Sequence, residues 1–348
     1  MRHLIDRLFQ GERLTRAEFQ DLVLCEDQEM LELLFRRAKE RTEEVFGNHV
    51  YIRGLIEISS YCKQDCFYCG LRCSNHKAQR YRLSPNEIIA TCEKGYEMGF
   101  RTFVLQGGED DYYTDDAICE LIREICLSCP GSAVTLSLGE KGKRAYEAFR
   151  KAGASRYLLR HETATAEHFS RLHPPSQRLQ SRMEALATLK DLGFQVGAGF
   201  MVGSPFQTAE NLAEDLYFLQ EFRPHMVGIG PFIPHQDTPF GKYPAGDSGQ
   251  TVKMIAITRG ILPGALIPAT TALATLSNDA RGRALQAGAN VVMPNLSPEA
   301  VRVKYNLYNN KLSTGTESAQ MLAALREELE GYGRKMDLSR GDSPLWKA

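Results

Sequence analysis

The sequence predicts an α/β fold, a parallel (β/α)8 TIM barrel with an N-terminal helical extension and a C-terminal cap. Three observations carry that expectation. From residue 50 onward, short apolar or β-rich runs alternate eight times with amphipathic helical stretches. The 348 residues accommodate one barrel of ~250 residues with extensions at both ends. The unusual polar residues fall where the strand candidates end, which is the side on which such barrels carry their chemistry.

Taken in order, residues 1–48 form the helical extension. Thr15-Arg-Ala-Glu18 is a capping box, in which each side chain satisfies a free amide at the other end. Apolar residues then recur at helical spacing through Leu31, Leu34, Phe35 and Ala38. The barrel is expected over 49–296, with strand candidates at 50–58, 102–106, 133–138, 156–160, 195–202, 226–230, 266–270 and 291–293. The intervening stretches read as helices. The clearest starts at Ser84-Pro85-Asn86-Glu87, with an N-cap serine, a proline in the first turn and a capping glutamate. The tail, 297–348, is less regular and is expected to cap one barrel end. No solenoid repeat or low-complexity linker interrupts the pattern.

Composition excludes several functions. Apolar residues make up 43% of the chain, so a sizeable core can form. The net charge of −1 gives no electrostatic footprint for nucleic acid or an anionic membrane. The start, MRHLIDRLFQGERLTRAEF, lacks an apolar stretch suited to export. The longest uncharged run, 260–278, carries Pro263, Pro268 and several threonines and reads poorly as a membrane span. A soluble cytoplasmic protein is expected. The nine cysteines are odd in number and none lies beyond Cys129, which argues against a secreted disulfide framework.

Cys62, Cys66 and Cys69 form C-x3-C-x2-C, with Tyr68 just before the last. Three readings compete. With Cys73 the four thiolates would make a closed zinc site, although structural zinc generally draws on two separated knuckles. A closed ferredoxin-type cluster would also take four cysteines, but the ferredoxin run opens C-x2-C and places proline after its last cysteine, where Ser74 stands here. The third reading uses only the first three thiolates and leaves one iron of a four-iron cluster open to bind and reduce a ligand.

C-x3-C-x-aromatic-C after a first barrel strand resembles the radical S-adenosylmethionine (SAM) superfamily. In that family the sulfonium cofactor chelates the open iron, and one electron cleaves a C–S bond to give a 5′-deoxyadenosyl radical. Gly107-Gly108-Glu109, at the end of the second strand candidate, matches the family's second feature. Glycines let the backbone approach a ligand closely, and a carboxylate or carbonyl there can accept from an ammonium. Longer stretches resemble the HydE-type maturases of iron–iron hydrogenase. They are IEISSYCKQDCFYCGLR, VLQGGEDDYY, VTLSLGE, RYLLRHETA, VGAGFMVGSP, MVGIGPFIPHQDTPF and IPATTALAT, and the resemblance covers roughly residues 15–310.

That resemblance implies a site residue by residue. Cys62, Cys66 and Cys69 hold one 4Fe-4S cluster, and Tyr68 lies beside the sulfonium. Gly107, Gly108 and Glu109 meet the methionyl amine of SAM. Glu162 and Arg160 lie near its ribose and methionyl parts. Arg182 pairs with the methionyl carboxylate, for which a guanidinium fork is suited. Gln106, Thr135 and Ser137 line the middle of an internal cavity, Ser137 counting among the cofactor contacts. Met226 and Ile233 supply apolar walls. Thr270, Thr271, Tyr305 and Tyr308 bind carboxylate or cyanide-like groups at the far end. The implied substrate is a small organometallic or amino-acid-derived anion, a cysteine-bound iron carbonyl–cyanide complex in the family. Implied partners are other hydrogenase maturases, met transiently, and a low-potential reductant.

His161 and His235 are expected to be structural histidines, and Cys119, Cys126 and Cys129 structural thiols. Many family members carry a second cysteine cluster near the C-terminus. Here the corresponding stretch 312–323, LSTGTESAQMLA, has no cysteine, so a second cluster is not expected. Two alternatives stay open. One is another radical enzyme of this branch, a methylornithine synthase or a biotin synthase. The other is a carrier or scaffold that binds a cluster without catalysis and has no need of Glu109 or Arg182.

Overall fold

The structure, a computed structural model, describes residues 1–277, 279–312 and 318–347. Of the stretch 312–323, residues 313–317 lie outside the described residues. Gly54–Ser59, Thr102–Gly107, Ala133–Ser137, Arg156–Leu158, Gln195–Ala198 and Met226–Val227 pair in parallel and in chain order as six staves of one sheet. Glu57 lies opposite Gln106, and Gln106 opposite Ser137, so these side chains share one face. The seventh and eighth staves are short: the expected run 266–270 is reduced to isolated bridges at Leu266 and Pro268, and the run 291–293 to Val291–Val292. They close the wall through bridges between Met226 and Leu266, Pro268 and Val291, and Leu55 and Asn295. Leu266 O accepts from Val227 N at 3.0 Å, and Leu55 O accepts from Leu296 N at 2.7 Å. The helices between staves complete the α/β barrel, with a core of Val, Ile, Leu and Phe from both layers.

Two strand candidates divide for physical reasons. The run 50–58 breaks at Arg53 into His49–Ile52 and Gly54–Ser59. Its lower half outruns the second stave and pairs instead with the C-terminal strand Lys335–Asp337. The run 195–202 bends at Gly199, which has φ +151° and approaches Gly228 so closely that a Cβ would sit 2.0 Å from its carbonyl oxygen. Past the bend, Met201–Val202 pairs with Gly230–Pro231 as a separate ribbon.

Helices Arg2–Gln10, Arg16–Leu24 and Gln28–Phe46 form the N-terminal extension. The capping box is present: Thr15 Oγ1 accepts from Glu18 N at 3.3 Å, and Glu18 Oε2 from Thr15 N at 2.8 Å. These helices pack on barrel helices Ala209–Phe222 and Ser248–Ile261. The second is therefore buried all round from Thr251 to Ile261 instead of showing one polar stripe.

The segment after Ser297 serves both ends of the barrel. Residues 303–312 cross the mouth, where Leu307 O accepts from Gly70 N and Pro234 O from Asn309 N. Residues 340–346 reach the floor. There Asp342 Oδ1 accepts from Arg156 Nη2 at 2.7 Å, and Ser343 N donates to Gln195 Oε1 at 2.9 Å. Among the described residues no helix is long and apolar enough to cross a membrane.

Candidate active site at the barrel mouth

The cysteines sit on the loop between the first stave and helix Pro85–Glu97. That loop is fixed by its own polar side chains. Arg80 donates to the carbonyls of Leu71, Arg72 and Asn75 at 2.9, 2.8 and 3.1 Å. Asp65 accepts from Arg72 Nε at 2.7 Å and from the Ser74 hydroxyl at 2.9 Å. Cys62, Cys66 and Cys69 are half-buried, whereas Cys73 is exposed.

The donor set fits a cluster. Burial pushes the three thiols up, Cys66 to about 12. The charge of Cys62 adds to the shift of Cys66, and the charges of Cys66 and Cys62 to that of Cys69. Three sulfurs thus share one desolvated, mutually repelling site, which a bound cationic centre would relieve by holding them as thiolates. Cys73 is among the main influences on Cys62 and not among those on Cys66 or Cys69. Among the described residues no group of three or more His, Cys, Asp or Glu side chains is placed to hold a single ion.

Glu109 N donates to Cys62 Sγ at 3.4 Å, and the Cys66 thiol donates to Gln177 Oε1 at 3.3 Å. Gly108 packs on the loop so tightly that a Cβ would lie 2.1 Å from Tyr61 O. The Glu109 carboxylate, expected beside a methionyl amine, accepts from Gln64 Nε2 at 2.6 Å and from Glu140 N at 3.1 Å. Tyr68 shares a hydrogen bond with His173 Nε2 at 3.0 Å. His173 Nδ1 donates to Phe169 O, so Nε2 accepts from the tyrosine, and burial lowers the imidazole to about 3 and keeps it neutral.

Arg160 and Glu162 follow the fourth stave. Arg160 Nη2 lies 3.0 Å from Glu162 Oε2, yet both atoms, and Arg160 Nε, are buried without a hydrogen bond among the described residues. Such bare polar atoms call for a ligand or ordered water. Arg182 is buried beside them. It binds Glu140 through Nε and the Arg160 carbonyl through Nη1, and its charge acts on Cys66 and Tyr68. The three cysteines, Tyr68, Glu109, Arg160, Glu162 and Arg182 therefore form one electrostatically connected group.

The residues expected to contact substrate are more dispersed. Gln106 Nε2 lies 3.4 Å from the hydroxyl of the fully buried Tyr305. Thr135 Oγ1 is buried and unpartnered, and Ser137 is half-buried at the end of the third stave. Met226 Sδ accepts across the barrel from Arg53 Nη1 at 3.2 Å, and Ile233 is buried. Burial raises Tyr308 to about 12, and its hydroxyl bonds Thr275. Thr270 caps helix Thr271–Leu276 through Leu273 N. Thr270 and Thr271 line a cavity of about 210 Å³ that also touches Met293, Met321, Leu325 and Arg281.

His161 and His235 both bond the protein, to Asp215 and to Asn306 respectively. Cys119 and Cys129 are buried and Cys126 half-buried, in or next to helix Asp115–Ser128. Sequence reasoning missed Glu57, which is fully buried and accepts from Asn295 Nδ2 at 2.8 Å and from Lys311 Nζ. Its place in step with Ser59 on an apolar strand was a readable signal. It also missed His173, Gln177 and Glu140, which carry no local signal and arrive by tertiary contact.

The Radical SAM superfamily profile matches residues 56–219. The FeFe hydrogenase maturase subunit HydE of Thermotoga maritima is 44% identical over 329 residues, covering 93% of this chain and 94% of that protein. The 3-methylornithine synthase of Methanosarcina acetivorans is 29% identical over 330 residues, covering 94% and 92%. A crystal structure of methylornithine synthase superposes with a TM-score of 0.83 at 28% identity, covering 96% of this chain and 97% of that one.

Proposed function

The chain belongs to the radical SAM superfamily and, within it, to the family of the hydrogenase maturase HydE, and from that premise we propose that its cluster is a single one, held by Cys62, Cys66 and Cys69. The enzyme cleaves SAM there and turns the resulting radical on a small anionic substrate during assembly of the iron–iron hydrogenase active-site cluster. When bound, the open iron of the cluster supplies one electron to the sulfonium of SAM.

This chain's residues do the rest. Tyr68 covers the cluster side of the sulfonium, its hydroxyl fixed by His173. The Gly107-Gly108 backbone and Glu109 face the methionyl amine. Arg182 receives the methionyl carboxylate through Nη2, from which no described residue accepts. Arg160 and Glu162 receive the ribose. The observation that carries this reading is the buried Arg160–Glu162 ion pair, three of whose polar atoms lack a hydrogen bond, next to a desolvated three-thiol site. The substrate lies deeper, against Gln106, Thr135 and Ser137, with Met226 and Ile233 as walls and Thr270, Thr271, Tyr305 and Tyr308 beyond. Arg53, whose Nε and Nη2 are buried without partners among the described residues, is a guanidinium with no carboxylate against it on the lumen floor and favours an anion, such as a cysteine-bound iron carbonyl–cyanide complex. The other maturases deliver or collect that compound, and a low-potential reductant feeds the cluster.

In an anaerobic maturation mixture containing hydrogenase apoprotein and the other maturases, leaving out this chain abolishes hydrogen evolution. Full activity without it would overturn the assignment. Formation of methylornithine would favour the synthase, the 29% relative.

A further inference from the structure

Glu162 is a non-glycine residue with φ +66°. That left-handed backbone is disfavoured for a residue with a Cβ and persists only where its surroundings enforce it. Its own main chain is held by Gly199 O, which accepts from Glu162 N at 3.0 Å, and by Met201 N, which donates to Glu162 O at 3.2 Å. The residues on either side are held by a pair of buried side chains. Gly199 N donates to His161 Nδ1 at 3.2 Å, so that nitrogen is bare and the ring proton sits on Nε2. Nε2 donates to Asp215 Oδ1 at 3.2 Å, and Ala164 N donates to the same oxygen at 2.6 Å. Asp215 comes from the core-facing side of helix Ala209–Phe222, and both side chains are fully buried. Phe218 packs edge-on against the imidazole, with ring centroids 4.7 Å apart.

All these bonds converge on residues 161–164, whereas the head groups of Arg160 and Glu162 next to them face each other as an ion pair, 3.0 Å apart, and keep buried polar atoms that no hydrogen bond among the described residues satisfies. A histidine that served only the core would have no reason to clamp a strained turn beside an ion pair whose buried atoms lack hydrogen bonds. We propose that His161 and Asp215 are positioning residues, which hold the turn at Glu162 so that Arg160 and Glu162 present their charged ends to SAM. This inference rests on the reading that those two residues contact the cofactor.

The test uses reconstituted holoenzyme and reads 5′-deoxyadenosine formation against SAM concentration. Asp215→Ala raises KM for SAM roughly ten- to hundredfold, the usual scale for losing an outer-layer orienting partner, and changes kcat much less. Asp215→Asn, whose amide oxygen can accept the same two bonds, restores the wild-type KM. In a Glu162→Gln background Asp215→Ala adds little, because it acts through Glu162.

A wild-type KM in cluster-loaded Asp215→Ala, with KM raised in Glu162→Gln, overturns the inference and leaves the cofactor reading standing. An unchanged KM in Glu162→Gln overturns the cofactor reading itself. If Asp215→Ala takes up no cluster, His161→Gln carries the same expectation. Failure of both variants to load, with Asp215→Asn intact, shows that the pair serves the fold alone and also overturns the inference.

Discussion

Arg182 donates from Nη1 to the carbonyl oxygen of Arg160 at 2.7 Å. One guanidinium therefore braces the turn that carries Glu162 while its charge bears on Cys66 and Tyr68. A lysine cannot reproduce a fork that binds Glu140 and a carbonyl and, in the proposed role, holds the SAM carboxylate as well. Arg182→Lys is expected to keep its cluster and to raise KM for SAM about tenfold, which corresponds to about 1.4 kcal/mol. Steady-state formation of 5′-deoxyadenosine measures it.

The cysteines separate by environment. Cys69→Ala is expected to abolish cluster loading, since the cube then keeps only two protein ligands. Cys73→Ala, which removes an exposed thiol, and the combined Cys119→Ser, Cys126→Ser and Cys129→Ser change leave iron content per chain at the wild-type value. Iron and sulfide analysis of anaerobically reconstituted protein distinguishes the cases.

Lys311 closes the mouth by pairing with Glu57, a carboxylate that burial pushes upward in pKa. Lys311→Met leaves that group buried and unpaired, and breaking a buried pair on one side costs about 3–5 kcal/mol. Denaturant unfolding should register the loss, and amide exchange should quicken across 303–312. Glu57→Gln in the same chain should recover part of it.

Asp342 plugs the floor. Burial works to raise its pKa, but the hydrogen bond and charge of Arg156 outweigh it, so the folded value lies below the ordinary one. A depressed carboxylate contributes stability above its unfolded pKa of about 3.9 and loses it as pH falls through the folded value. Asp342→Asn is expected to cost about 1–3 kcal/mol at neutral pH. The gap between variant and wild type should close as pH drops below about 4, which urea titration at several pH values checks.

Much of the barrel was legible because its signals are local. Ser84 and Glu87 form the expected capping box, with Ser84 N donating to Glu87 Oε2 at 2.7 Å, since cap chemistry is settled within one turn. The breaks at Arg53 and Gly199 were not legible. The first depends on which strand fills an overhang and the second on how near Gly228 comes. The cysteine spacing marked the candidate cluster loop, but the bonds that support that loop and the mouth come from afar. Glu57 and Lys311 stand 254 residues apart, and Cys66 and Gln177 111 apart. Asp215 shares a helix face with Leu212 and Leu219, where an apolar residue is the ordinary expectation.

The most direct test is low-temperature electron paramagnetic resonance of the dithionite-reduced holoprotein, recorded before and after adding SAM. An open iron gives one four-iron signal per chain whose g values and relaxation change when SAM binds, together with release of 5′-deoxyadenosine. A signal indifferent to SAM, from a cluster with every iron already bound by protein, would contradict the central claim.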